Sequence, residues 1–335
     1  MRWPLKRLLA AIPLLCLLTT GLSADLQDSS MYAADADTPA AFLYLPAGAK
    51  AIGLNQAFTI LGADASAAFY NPATLARIPW SGVSITGSTL SMDRYHTAFS
   101  LALCSSNSNS GERRVSAISG SFVFVDELHR YSDGSGIPTG SLDSFSGTLA
   151  FSRAYEFASR MNWGFSVAGI FDKQDDTQGY GVALSAGMDI NVLIFQLAGS
   201  VRNLGFIYYS DLYWLCPTVS GAFSIKLVES LLPSLQYDYT FGVKESGVLR
   251  LGLEWIVLQR KPEVSAALAA TLYARGLPEE QGRGVELRVR AGIADGTLAG
   301  GFSLLLNRVE VSYAVSMADF EETGAVQTVS LNYNF

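Results

Sequence analysis

From Trp80 to the end of the chain, apolar and polar residues alternate in one stretch after another. In "VLRLGLEWIVLQR", Leu249, Leu251, Leu253, Trp255 and Val257 share one face, with Arg250, Gly252, Glu254 and Arg260 on the other. In "GVELRVRAGI", Val285, Leu287, Val289, Ala291 and Ile293 oppose Glu286, Arg288 and Arg290. Val309, Val311, Tyr313 and Val315 oppose Glu310, Ser312 and Ser316, and Trp163, Phe165, Val167 and Phe171 oppose Asn162, Ser166 and Asp172. A period of two is the signature of a β-strand with unlike faces.

The same alternation suits a soluble sandwich whose apolar face turns to a core. Three features favour a transmembrane antiparallel β-barrel instead. The runs approach the roughly 9–11 residues a tilted strand needs to cross a bilayer, beyond the ~5–6 of ordinary sheets. Several apolar faces end in aromatics, as Tyr237, Tyr239 and Phe241 do, in the manner of an interfacial girdle. The opposite faces carry Arg and Glu on neighbouring strands, which suits a wet, charge-paired lumen.

About fifteen segments qualify as strands, and single-chain bacterial barrels have even numbers, so the expectation is fourteen, with twelve and sixteen open. "SSNSNSGER", "DELHRYSDGSGIPTGSLD", "DKQDDTQG" and "LPEEQGRG" read as loops. The final "TVSLNYNF" alternates Val329, Leu331, Tyr333 and Phe335. A closing strand leaves no polar edge in lipid, and a last strand ending in Phe335 resembles the signal read by the outer-membrane barrel-assembly machinery.

The chain is 49% hydrophobic and only 16% charged, against ~25% for a typical soluble domain. Its first residues form a leader: Arg2, Lys6 and Arg7, an apolar run from Leu8 to Thr20, then Leu22-Ser23-Ala24. Residues 1–24 are therefore expected to be a signal peptide, because the run is short of the ~20 residues of a membrane helix. Removing three basic residues takes the formal charge from −7 to about −10, which disfavours nucleic acid as a partner. Cys104 and Cys216 remain, enough for one disulfide but not for a framework.

Residues 25–79 differ in texture. "DASAAFYNPATLARIP" gathers alanines around Asn71-Pro72. Proline suits the first position of a helical turn and asparagine caps it, so "NPATLAR" starts one turn and "ASAAFY" forms another. The segment is too poor in large apolar residues to fold by itself, and the barrel mouth is its economical place. The barrel then occupies 80–335.

"PAGAKAIGLNQAFTILGADASAAFYNPATLARI" resembles the N-terminal hatch of the FadL/TodX-type outer-membrane transporters, and is similar to related PorV-like and spirochaetal barrels. The match rests on Gly48, Ala49, Gly53, Ala57, Phe58, Asp64, Ala65, Asn71, Pro72, Ala73 and Leu75. "VRNLG", "LRLGLEW", "VRAGI" and "SLNYNF" are weaker echoes. The resemblance implies fourteen strands, a bacterial outer-membrane location, surrounding outer-membrane lipid, and diffusive uptake of long-chain fatty acids or other hydrophobic small molecules. It implies a hatch whose gating residues are Gly53, Asp64, Asn71, Pro72, Ala73 and Leu75, and a gap in the wall, for which Gly120 in "SAISGSF" is the candidate. The lumen arginines Arg250, Arg288 and Arg290 are candidate contacts for a carboxylate head group. The PorV-like alternative is a barrel that anchors exported proteins or a secretion machine.

Catalytic chemistry finds no purchase. His96 and His129 lack metal-ligand spacing. Asp172, Asp175 and Asp176 lack the full pattern of a calcium loop. Neither a Gly-x-Ser-x-Gly elbow nor a phosphate loop occurs. A non-enzymatic protein without a cofactor is expected.

Overall fold

The computed structural model describes residues 38–90, 94–106, 113–131, 138–157, 160–174, 177–226, 228, 230–243, 247–260, 284–317 and 325–335. The leader and residues 25–37 lie outside them. Among the described residues fifteen strands follow one another: β1 (Gly82–Thr89), β2 (Arg94–Ser106), β3 (Arg113–Tyr131), β4 (Pro138–Phe157), β5 (Met161–Gln174), β6 (Thr177–Val192), β7 (Phe195–Tyr208), β8 (Leu212–Trp214), β9 (Thr218–Ile225), β10 (Leu231–Thr240), β11 (Gly247–Arg260), β12 (Val285–Ala294), β13 (Thr297–Leu306), β14 (Val309–Ser316) and β15 (Val326–Asn334).

Fourteen of them close a barrel by antiparallel neighbour pairing. β8 is the extra strand, paired on the end of β7 while β7 continues to β9. Closure runs from Gly82↔Asn334 to Thr89↔Gln327, and the Phe335 N–H adds a bond to the Ser81 carbonyl at 2.8 Å. The last strand thus shields the polar edge of the first. The rim holding Gly82 and Asn334 is called the terminal rim below, and the opposite one the far rim.

The two faces of the wall invert the usual order of a soluble protein. Ile85, Leu149, Leu249, Phe302, Val311 and Val329 point outward and are exposed. Ser84, Thr86, Asp172, Arg290 and Glu310 are buried on the inside. Aromatic pairs mark both ends of the apolar band: Tyr155 stacks on Trp163 at 4.6 Å near the terminal rim, and Tyr239 meets Phe241 edge-on at 4.9 Å near the far rim. An apolar band between aromatic girdles, closed on itself, is a membrane-spanning surface.

Expectations change in the loops and at Gly120. "DELHRYSDGSGIPTGSLD" is largely strand, because β3 and β4 stay paired out to Tyr131↔Pro138 and satisfy each other's backbone beyond the band. Gly120 sits in an unbroken ladder between Phe99 and Leu149. It makes room for rings, since a methyl group there would lie 2.6 Å from Phe99 and 3.1 Å from Phe122. Cys104 and Cys216 are both free thiols. Most of "SSNSNSGER" and of "LPEEQGRG", with Asp175 and Asp176, lies outside the described residues.

Residues 38–79 run through the lumen from the far rim to the start of β1. They form a 3₁₀ turn at Ala41–Tyr44, the short helix α1 (Ala49–Gly53), and 3₁₀ turns at Ala65–Phe69 and Pro72–Arg77. Ala51, Leu54, Ala57, Ile60, Ala67, Ala73 and Leu75 are fully buried. Small side chains fit this segment because it must pass within a ring of backbone.

Candidate functional site

The plug rests on two glycine seats. On one side, Gly164 of β5 and Gly187 of β6 are direct cross-strand partners. A methyl group on Gly164 would stand 2.6 Å from the Pro72 carbonyl carbon and 2.7 Å from the Ala73 nitrogen, and one on Gly187 would overlap the Asn71 side chain. The Asn-Pro turn therefore touches the wall backbone directly. On the other side, Gly252 of β11 pairs with Gly292 of β12. A methyl group on Gly292 would overlap the Leu54 carbonyl, and one on Gly53 of α1 would lie 3.3 Å from the Gly301 Cα of β13.

The turn has the local geometry its sequence predicts. Asn71 is extended, and its Oδ1 accepts from the Ala73 N–H at 3.0 Å, with Pro72 in the first helical position. Its Nδ2 donates to the Thr59 carbonyl at 3.3 Å, tying the turn to the preceding chain. Asp64 caps the Ala65–Phe69 turn in the same way, accepting from the Ser66 N–H at 2.9 Å. Leu75 packs with Ala102, Val115 and Ala154 of the wall in an apolar cluster near the terminal rim.

Charge fastens the plug at two further points. Lys50 and Arg77 are the only basic residues in 38–79. The Lys50 ammonium lies 2.5 Å from Asp64 and 2.7 Å from Glu310 of β14. Burial opposes its charge, but the two carboxylates outweigh burial, so Lys50 is held above the ordinary lysine range. Asp64 is likewise desolvated, yet Lys50 and Ser66 keep it below the usual carboxylate range. Arg77 donates to Asp189 of β6 at 2.8 and 2.5 Å and to the Ile60 carbonyl at 2.5 Å. Asn162 also donates to Asp189, at 3.1 Å.

Neutral bonds bind the same segment to β10–β15. Gln236 accepts from the Thr59 N–H at 3.0 Å, the Ser234 hydroxyl donates to the Ala57 carbonyl at 3.1 Å, and Ser330 accepts from the Ala49 N–H at 2.8 Å. At the far rim, the Tyr44 hydroxyl donates to the Cys216 carbonyl at 2.6 Å.

The three candidate arginines are on the inside of the wall, as alternation places them, and each already has a carboxylate. Arg250 meets Asp238 at 2.6 Å and donates to the Asn55 carbonyl of the plug at 3.2 Å. Arg290 meets Glu254 at 2.6 Å, and Arg288 pairs with Glu286 and Glu254. Only Arg288 keeps an appreciable side-chain exposure, 31%, so it alone of the three has room for another anion. Sequence reasoning missed Lys50, Arg77, Glu310 and the four seat glycines. The two cations could have been found as isolated charges in an alanine-rich segment, since a buried cation needs a carboxylate.

Two apolar features accompany the plug. Near the far rim, Phe42 is packed among Val123, Ile170, Ala183, Ile207 and Leu215. On the outside of the β11–β14 panel, behind the second seat, lies a groove of about 840 Å³ whose walls include Leu251, Val289, Leu298 and Phe302, with Ala291 and Gly300 among its lining.

Three solved structures of TodX share this fold. The P. putida toluene transporter TodX aligns with 84% of this chain and 98% of its own at 9% identity, with a TM-score of 0.53. A deltaS2S3 mutant of the TodX monoaromatic hydrocarbon channel aligns with 86% of this chain and 99% of its own at 10% identity and 0.53, and a deltaS2 mutant with 81% and 94% at 10% and 0.51. No family model matches the chain, and no curated protein sequence does. At such identities the likeness is one of fold, and it meets the FadL/TodX-type resemblance carried by the plug motif.

Proposed function

We propose that this protein is an outer-membrane channel for long-chain fatty acids or similar apolar molecules, with the lumen segment acting as its hatch. The observation that carries the reading is the apolar niche at the far rim. A plug residue, Phe42, belongs to one buried apolar cluster with Val123, Ile170, Ala183, Ile207 and Leu215 inside a lumen otherwise rich in Ser, Thr and charge. An aliphatic chain is chemically suited to replace that ring. Its displacement would disturb the Ala41–Tyr44 turn, and through it the plug that closes the lumen.

In this reading Asn71, Pro72, Ala73 and Leu75 form the constriction near the terminal rim, while Gly53 seats the plug against β13 and Asp64 pairs with Lys50 within it. Arg288 is the lumen arginine best placed for a carboxylate head group. The leader directs export and is removed after Ala24, and the strand ending at Phe335 is the part offered to the assembly machinery.

Binding tests this directly. Purified full-length protein in detergent, titrated with labelled oleate, should bind it saturably. Phe42→Ala should bind several-fold tighter, because the competing ring is gone. Absence of oleate binding by a well-folded barrel, together with a nanosiemens conductance in planar bilayers, would replace this reading with that of a water-filled porin.

A further inference from the structure

A pair of arginines stands on the lipid side of the wall, away from the plug. Along β4 the inward positions include Ser146, Ser152 and Ala154, which are buried, while Leu149, Phe151 and Phe157 point outward and are exposed. Arg153 has the outward parity. Arg114 of β3 lies opposite Tyr155 of β4 in the register. Both guanidinium carbons approach that one ring, Arg114 at 6.0 Å and Arg153 at 5.5 Å. Tyr155 in turn stacks on Trp163 of β5.

The position is unusual in energy as well as in parity. Arg153 is four residues inside the end of β4, which is roughly 10 Å of depth for a tilted strand rising ~3.3 Å per residue. Exposed Phe151 lies just below it on the same face, and Phe165 is its cross-strand partner on β5. A cation there is costly unless it reaches the interface or meets an anion. The lumen arginines Arg250, Arg288 and Arg290 all have wall carboxylates. Arg153 instead has a tyrosine face, and its Nε is buried with no hydrogen-bond partner among the described residues.

We propose that Arg114, Arg153 and the Tyr155–Trp163 stack form a binding site for the phosphate of an anionic phospholipid in the leaflet at the terminal rim. A phosphodiester accepts charge-assisted bonds from two guanidiniums at once. The aromatic stack supports the glycerol region at headgroup depth, and the apolar face formed by Leu149, Phe151 and Val167 receives the acyl chains. The site rests on the membrane-spanning barrel and not on what the lumen carries.

Lipid selection tests it. The full-length protein is placed in nanodiscs of phosphatidylcholine doped with phosphatidylglycerol, and the lipids retained on extraction are measured by native mass spectrometry. Folding is checked by the mobility difference between unheated and heated protein on a gel. Wild type should retain phosphatidylglycerol several-fold above its bulk proportion. Arg114→Gln/Arg153→Gln should fall to the bulk proportion, and Arg153→Lys should lie between them. If the double variant does not fold, Arg153→Gln alone should lose most of the enrichment. Equal enrichment in wild type and in the Gln variants, or none in wild type, would overturn the proposal. So would displacement of the lipid by millimolar inorganic phosphate, which would mean that the pair recognises free phosphate.

Discussion

Gly164 and Gly187 face each other across β5 and β6, and Gly164 admits the Pro72–Ala73 backbone to the wall while Gly187 admits the Asn71 side chain. A side chain at either position would occupy space that the turn now fills. The pair is a receptor made of absent atoms, and it fixes where the plug ends its path through the lumen.

Gly164→Ala should therefore loosen the plug while leaving the barrel intact. The added methyl meets backbone, not the end of a flexible chain, so the overpacking cost is about 1–3 kcal/mol. Hydrogen exchange at Ala73 to Arg77 should quicken. Gly221→Ala is the control, since nothing lies within 4 Å of the methyl it adds. Equal exchange in the two variants would mean that the seat is not a real constraint.

Lys50→Met should leave Asp64 buried without its cation, and Glu310 with only the more distant Arg290, at 4.0 Å. Removing one partner of a buried pair costs about 3–5 kcal/mol. Residues 49–60 should exchange faster, and protonating the two carboxylates at low pH should restore part of the protection. A variant as well protected as wild type at neutral pH would show that the glycine contacts and neutral bonds suffice.

In wild type, the same pair makes plug docking insensitive to pH over a wide range. Asp64 has a folded pKa below its unfolded value, so its contribution is present above about pH 4 and is lost as pH falls through the depressed folded value. Lys50 has a raised folded pKa, so its contribution is complete below about pH 10 and is lost as pH rises through the folded value. Protection of residues 49–60, the part of the plug this pair holds, should be flat between pH 5 and 9. A midpoint near neutrality would contradict this assignment of charges.

Gly120→Ala should not open the wall. The new methyl crowds the Phe99 and Phe122 rings on the lipid side, so thermal stability should fall by about 1 kcal/mol or more. Permeability to small hydrophilic solutes should stay at the wild-type level, and a leak specific to this variant would return Gly120 to the role of a gap.

Much of this architecture is legible along the chain. Alternation gives the parity of Arg250, Arg288 and Arg290, and the terminal "SLNYNF" gives the closing strand. Partners are not legible, because they depend on register: Glu254 meets Arg290 only once β11 and β12 align at that pair. Gly120 misled for a related reason. In one dimension it interrupts a strand, whereas in the sheet it is the hole that lets Phe99, Phe122 and Phe145 stack in a row on the outside. The glycine seats have no signal of their own, since each depends on a plug that touches the wall from more than ninety residues away.

The central claim is that the lumen segment gates uptake of an apolar molecule, and Asn71 is where that claim is most exposed. Asn71→Ala removes the cap on Ala73, the bond to Thr59 and the filling of the Gly187 seat, with the cap alone worth about 1 kcal/mol. The measurement is uptake of labelled oleate by cells with an intact outer membrane that lack their own fatty-acid transporter. They express either the parent or Asn71→Ala at equal amounts in that membrane. The account predicts uptake by the parent and a several-fold reduction in the variant. A well-assembled parent that takes up no oleate, or a variant that takes it up as fast as the parent, would contradict it.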